Sequence, residues 1–167
     1  GYVPFEFDLT DALGAPDDRG ERSALLVIRV EDPMDNREQP VGKQWGWYTP
    51  TSGIWQTVFI EPRTTEHISH YRVVTDIDAG RVRFEVFCEN TTDEMSVEVE
   101  IVPPDAKPHS VTLKIFADVA VGDAEVYPVT LWDPGDPQLY RVTYKLRNED
   151  RTFDTVDDTA VRSPKSA

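Results

Sequence analysis

The chain has 167 residues, a hydrophobic share of 39% and a formal net charge of −14. That length suits one large domain or two small ones, and no run reaches the roughly 18–20 apolar residues of a membrane-spanning helix. Neither nucleic acid nor an anionic membrane is an expected partner, because phosphates attract cationic patches and this chain is acidic.

Taken in order, the chain opens without a leader, directly on a strand-like alternation, so its natural N-terminus is expected upstream. Phe5, Phe7 and Leu9 alternate with Glu6, Asp8 and Thr10, the period of a half-buried strand. A loop rich in turn formers follows at 14–20, and its tip, Asp17-Asp18-Arg19-Gly20, should be solvated. Residues 25–30, Leu-Leu-Val-Ile-Arg-Val, predict a core strand that Glu31-Asp32-Pro33 ends. The mostly polar stretch 34–41 predicts an irregular segment.

The stretch 42–62 holds three of the four tryptophans, Trp45, Trp47 and Trp55. Its middle, Thr49-Pro50-Thr51-Ser52-Gly53, reads as a loop. Apart from Gln56, residues 54–60 are β-branched or aromatic and predict a strand. Ile54, Val58 and Ile60 fall on one face, and Trp55 and Phe59 on the other, so the strand should be covered on both sides.

The composition shifts after Pro62-Arg63-Thr64-Thr65. Beyond this boundary seven short strands are predicted, at 68–76, 82–89, 95–101, 110–118, 126–131, 140–146 and 153–161. Seven strands in about 100 residues is the size of an immunoglobulin-like sandwich. Asp78-Ala79-Gly80 and Asn90-Thr91-Thr92-Asp93 read as turns, and no segment shows a helical period. In Trp132-Asp133-Pro134-Gly135-Asp136-Pro137-Gln138-Leu139-Tyr140 two prolines stiffen a loop, and Tyr140 restarts a strand. A buried phenol there can bond back to the backbone as a tyrosine corner. The single cysteine, Cys88, sits in an apolar run, forms no intrachain disulfide, and reads as a buried, inert thiol.

Four stretches together resemble glycoside hydrolase family 2, the group of β-galactosidases, β-glucuronidases and β-mannosidases. Residues 2–10, Tyr-Val-Pro-Phe-Glu-Phe-Asp-Leu-Thr, resemble a late segment of the family's sugar-binding jelly roll. Gly42-Lys43-Gln44 and residues 48–58, which contain Ser52-Gly53-Ile54-Trp55, are similar to that domain's last strand. Residues 132–140 are similar to a loop of the immunoglobulin-like second domain, and Asp154-Thr155-Val156 to the start of its final strand. The resemblance implies an all-β chain. Residues 1–64 would be the C-terminal part of a galactose-binding-like jelly-roll sandwich, 65–162 an immunoglobulin-like β-sandwich, and 163–167 a tail. The family's (β/α)₈ catalytic barrel and the first jelly-roll strands would lie outside this sequence.

Retaining glycoside hydrolysis needs two carboxyl groups about 5–5.5 Å apart. The resemblance places both on the barrel, so no catalytic residue is expected here. Asn148-Glu149 matches the family's acid/base pair only as a dipeptide, within a polar hairpin turn. Glu98 and Glu100 alternate along a strand as solvated charges. His67 and His70, three apart in a strand, should point to opposite faces, so no metal site and no cofactor are expected.

The candidate substrate-binding residues are Trp45, Trp47 and Tyr48. Aromatic faces stack on sugar rings, and the resemblance brings this loop towards the active site. In some β-galactosidases of the family it supplies an Asp, and the matching position here is Trp47. The same rings would also bury well against a neighbouring domain. The expected function is the non-catalytic N-terminal portion of a family 2 glycoside hydrolase, with the barrel and a carbohydrate substrate as partners. The alternative is a free-standing carbohydrate-binding module or interaction scaffold.

Overall fold

The computed structural model describes residues 5–33, 38, 44–47 and 52–161, without the side chains of residues 44, 45 and 159–161. The chain divides into two compact units, Gly1–Ile60 and Glu61–Ala167.

In the first unit the one regular element described is a single helical turn, α1, Gln44–Trp47. Its start is otherwise organised by local turns. The Leu9 carbonyl accepts from the N–H groups of Ala12 and Leu13, at 3.0 Å each. The Asp8 carboxylate accepts from Thr10 N at 2.8 Å. At the 17–20 tip, Asp17 Oδ1 accepts from Arg19 N and Glu21 N, and Gly20 takes a φ of 79°. That tip is solvent-exposed as expected.

The strands expected at 5–9, 25–30 and 54–60 do not form. These residues carry no ladder, and their large side chains lie open: Phe7 is 77% exposed, Leu25 88% and Phe59 72%. The cover expected on both faces of 54–60 is therefore not present among the described residues. β-branched composition alone does not hold a strand, since stabilisation comes from paired neighbours.

The second unit is an antiparallel β-sandwich of seven strands. They are β1 (His67–Asp76), β2 (Arg81–Glu89), β3 (Ser96–Val102), β4 (His109–Phe116), β5 (Val119–Glu125), β6 (Tyr140–Arg147) and β7 (Thr152–Val161). Their spatial order is β1-β2-β5-β4-β3-β6-β7. β4 is the strand that changes sheets. Its residues 109–114 pair with β3, while Ile115 and Phe116 pair with Ala120 and Val119 of β5. One layer is thus β1-β2-β5 with the end of β4, and the other is β7-β6-β3 with residues 109–114 of β4, a strand-switching variant of the immunoglobulin-like arrangement.

Alternation builds the core. Val82, Phe84, Val86 and Cys88 of β2 face inward, as do Val97, Val99 and Ile101 of β3. Val142, Tyr144 and Leu146 of β6 lie beside those of β3 and face the β2 residues across the core. Tyr144 bridges the two layers. Its ring stacks on Tyr71 of β1 at 4.5 Å and meets Phe84 of β2 edge-on at 6.0 Å.

Six of the predicted strands are present with small shifts at their ends. The seventh differs. The sequence reading runs one strand to 118 and places the next at 126–131. The chain instead turns at Ala117-Asp118, both with positive φ, and the strand is 119–125. The paired positive φ values are those of a two-residue hairpin turn whose twist matches its flanking strands. At the centre of β5, a Cβ on Gly122 would come within 2.5 Å of Leu113 Cδ2, so the absence of a side chain there lets β4 cross over.

Candidate functional site

Trp45 and Trp47 lie on α1. Gly46 supplies a positive φ of 86°, and Trp47 is 83% exposed. Tyr48 and the side chain of Trp45 lie outside the described residues, so of the three candidates only the Trp47 ring is placed. Just after the loop, Ser52 Oγ donates to Asp32 Oδ2, tying two segments 20 residues apart.

In the second unit the motif residues are committed to structure. Tyr140 is buried, and its Oη accepts from Thr130 N at 2.8 Å, which is the tyrosine corner expected at this strand. The loop before it closes on itself: Asp133 and Asp136 exchange backbone hydrogen bonds, and Asp133 Oδ1 accepts from Gly135 N at 2.9 Å. Asn148 Oδ1 accepts from Asp150 N and Arg151 N at 3.0 and 2.9 Å, so the Asn148-Glu149 pair forms the β6–β7 turn. Arg147 Nη1 donates to Glu98 Oε2 at 2.8 Å, and Lys145 Nζ lies 3.6 Å from Glu100 Oε2. These carboxylates are half of charge pairs on an outer sheet face.

His67 and His70 do not point to opposite faces. A β-bulge between Ile68 and His70 inserts one residue, Ser69, and restores both histidines to the outer face. His67 then opposes Glu89, with Nε2 3.9 Å from its carboxylate, and His70 stacks on Phe87 with ring centroids 4.1 Å apart. Each imidazole thus has a separate neighbour, and no group of three or more potential ligands converges among the described residues.

The sequence reading did not single out Asp118. Its Oδ1 accepts from Thr91 Oγ1 at 2.6 Å and Thr91 N at 3.1 Å, and its carbonyl accepts from Cys88 N at 2.8 Å. These Thr91 bonds hold the Asp118 carboxyl below the usual carboxylate range. The available signal was weak: Asp tolerates positive φ, but Ala117 before it does not announce a turn. A cavity of about 30 Å³, space for roughly one water, lies beside Gly80, Val126, Val129 and Tyr140.

Comparison with known proteins adds three structural similarities. A Bifidobacterium dentium β-glucuronidase complexed with coumarin-3-O-glucuronide shares 22% identity over 57% of this chain and 18% of its own, with a TM-score of 0.49. A glycosyl hydrolase family 2 member from Bacteroides cellulosilyticus DSM 14838 shares 20% over 58% and 15%, with a TM-score of 0.45. A β-glycosidase from Bacteroides vulgatus shares 15% over 56% and 13%, with a TM-score of 0.43. The chain therefore spans less than a fifth of each of these proteins. The family model for glycosyl hydrolases family 2 matches residues 66–160, the span of the sandwich. With more than half of its residues in that match, the chain belongs to glycosyl hydrolases family 2.

Proposed function

We propose that this chain is a supporting, non-catalytic portion of a family 2 glycoside hydrolase. Residues 1–64 belong to a sugar-binding jelly roll and 65–162 to the immunoglobulin-like domain that holds a (β/α)₈ barrel in place. Trp45, Trp47 and Tyr48 line one wall of the barrel's carbohydrate pocket. The observation that carries this reading is the commitment of Asn148-Glu149 to a turn, within the span that the family model matches. Glu149 is exposed in that turn, a setting unlike the enclosed pair of carboxyl groups that retaining hydrolysis needs.

The test is turnover of chromogenic β-galactosides and β-glucuronides by the purified 167-residue chain. No hydrolysis above buffer is expected. Hydrolysis that persists through repurification would overturn the proposal.

A second reading, a free-standing carbohydrate-binding module, draws on the 83% exposure of Trp47, an open ring face for a sugar. Isothermal titration with mono- and oligosaccharides separates the two. Millimolar or tighter binding that Trp47→Ala abolishes favours the module; no heat favours the supporting role.

A further inference from the structure

Of the three asparagines, Asn36, Asn90 and Asn148, only Asn90 is followed by a hydroxyl residue two positions on, in Asn90-Thr91-Thr92. Asn-x-Thr is the acceptor pattern for N-linked glycans, and it requires a surface turn to be used. The structure supplies that setting. Asn90 is exposed and closes β2 in a left-handed conformation, with φ of 55°. Thr92 is exposed as well.

We infer that Asn90 is an N-glycan acceptor when the chain enters a compartment holding an oligosaccharyl transferase and its lipid-pyrophosphate-linked oligosaccharide. In the transfer, the bond between the sugar's anomeric carbon and the phosphate oxygen breaks and the lipid pyrophosphate leaves. A C–N bond forms to Asn90 Nδ2, which gives up one proton.

The fold accommodates the product. Asn90 Nδ2 donates to Thr65 O at 3.0 Å, and that bond uses one of its two hydrogens. A glycosylated amide keeps one N–H, so the contact that ties the β2–β3 turn to the start of the sandwich is compatible with the sugar. The neighbouring hydroxyl is spent differently, since Thr91 Oγ1 donates to Asp118. Thr92 contributes its backbone carbonyl to the turn, accepting from Met95 N at 3.0 Å, and that bond does not depend on its side chain. The turn's architecture and the acceptor's requirement can therefore be separated by substitution.

The experiment is translation of the full chain behind a cleavable secretory leader with endoplasmic-reticulum microsomes, followed by amidase removal of N-glycans. A known glycoprotein is run in parallel. One heavier species that collapses on amidase treatment is expected for the unmodified chain and for Thr91→Ala. The same species should be lost in Asn90→Gln and in Thr92→Ala, the latter with its turn intact. Absence of the heavier species from the unmodified chain while the control is modified overturns the inference. So does its persistence in Asn90→Gln.

Discussion

Residues 25–30 and strand β3 are both rich in β-branched side chains, and their environments are opposite. Leu25 is 88% exposed and Val27 77%, whereas Val97 and Val99 of β3 are at 0%. β3 has a hydrogen-bonded neighbour on each side, β4 and β6, and 25–30 has no ladder. Propensity is similar in the two; partners are not. Strand preference measures how well a side chain fits a half-buried pleated surface, so it stabilises little until that surface exists. The large apolar residues described in the first unit lie open and build no core. Those of the second unit are the core.

The sharpest way to break this comparison is one substitution made in both places. Val99→Asp buries an unpaired charge between Val111 and Tyr144, its partners across β4 and β6. It should cost about 3 kcal/mol or more and abolish the cooperative urea transition followed by circular dichroism. Val27→Asp should change the unfolding free energy by less than about 0.5 kcal/mol. Equal losses would show that 25–30 shares the core after all.

Two smaller effects probe how the sandwich is closed. Gly122→Ala places a methyl group against buried Leu113, and overpacking of that kind costs about 1–3 kcal/mol. Leu113→Val in the same chain should recover part of the loss, since the clashing atom is the end of that side chain. Tyr140→Phe leaves the Thr130 N–H without its acceptor and should cost about 1–2 kcal/mol in the same urea assay. Tyr127→Phe, on a ring 90% exposed, should cost nothing measurable. A Tyr140→Phe chain as stable as its parent would remove the tyrosine corner from the account.

Most of the sandwich was legible because inward and outward residues alternate cleanly, as in Val82, Phe84, Val86 and Cys88. β5 was not. Its inward positions include Ala120 and Ala124, too small to mark a strand, and Ala117-Asp118 lacks the Asn-Gly or Asp-Gly signal of a tight hairpin. The two histidines share a face because a bulge interrupts strand parity, and Ser69 carries no mark of one in the sequence. In the first unit the alternation at 5–9 and the apolar runs at 25–30 and 54–60 carry strand patterns without forming strands, because pattern specifies a face, not a neighbour. The role of Asn148 is legible because a short polar side chain in a turn bonds the local backbone, and that of Tyr140 because a buried phenol at a strand start needs a backbone partner.

The last effect is silent at neutral pH and belongs wholly to the sandwich. Burial, followed by the charges of Asp118 and Asp154, pushes the Cys88 thiol from an ordinary value near 9.0 up to about 12. The neutral thiol is thus favoured in the folded chain, and the unfolded chain ionises first. Between about pH 9 and 12 the folded state binds more protons, so stability contributed by the neutral thiol is complete below pH 9 and is lost as pH rises. Burial also raises Tyr71 and Tyr144, which act in the same direction. Urea unfolding from pH 7 to 10.5 should show stability falling more steeply in the parent than in Cys88→Ala, with the two slopes equal below pH 8. A thiol reagent at pH 8 should label Cys88 only after unfolding, because the thiolate is the nucleophile and the folded site suppresses it. Rapid labelling of the folded chain, or identical pH slopes, would mean that this end of β2 opens to solvent and that the contrast between the two units is smaller than their exposures imply.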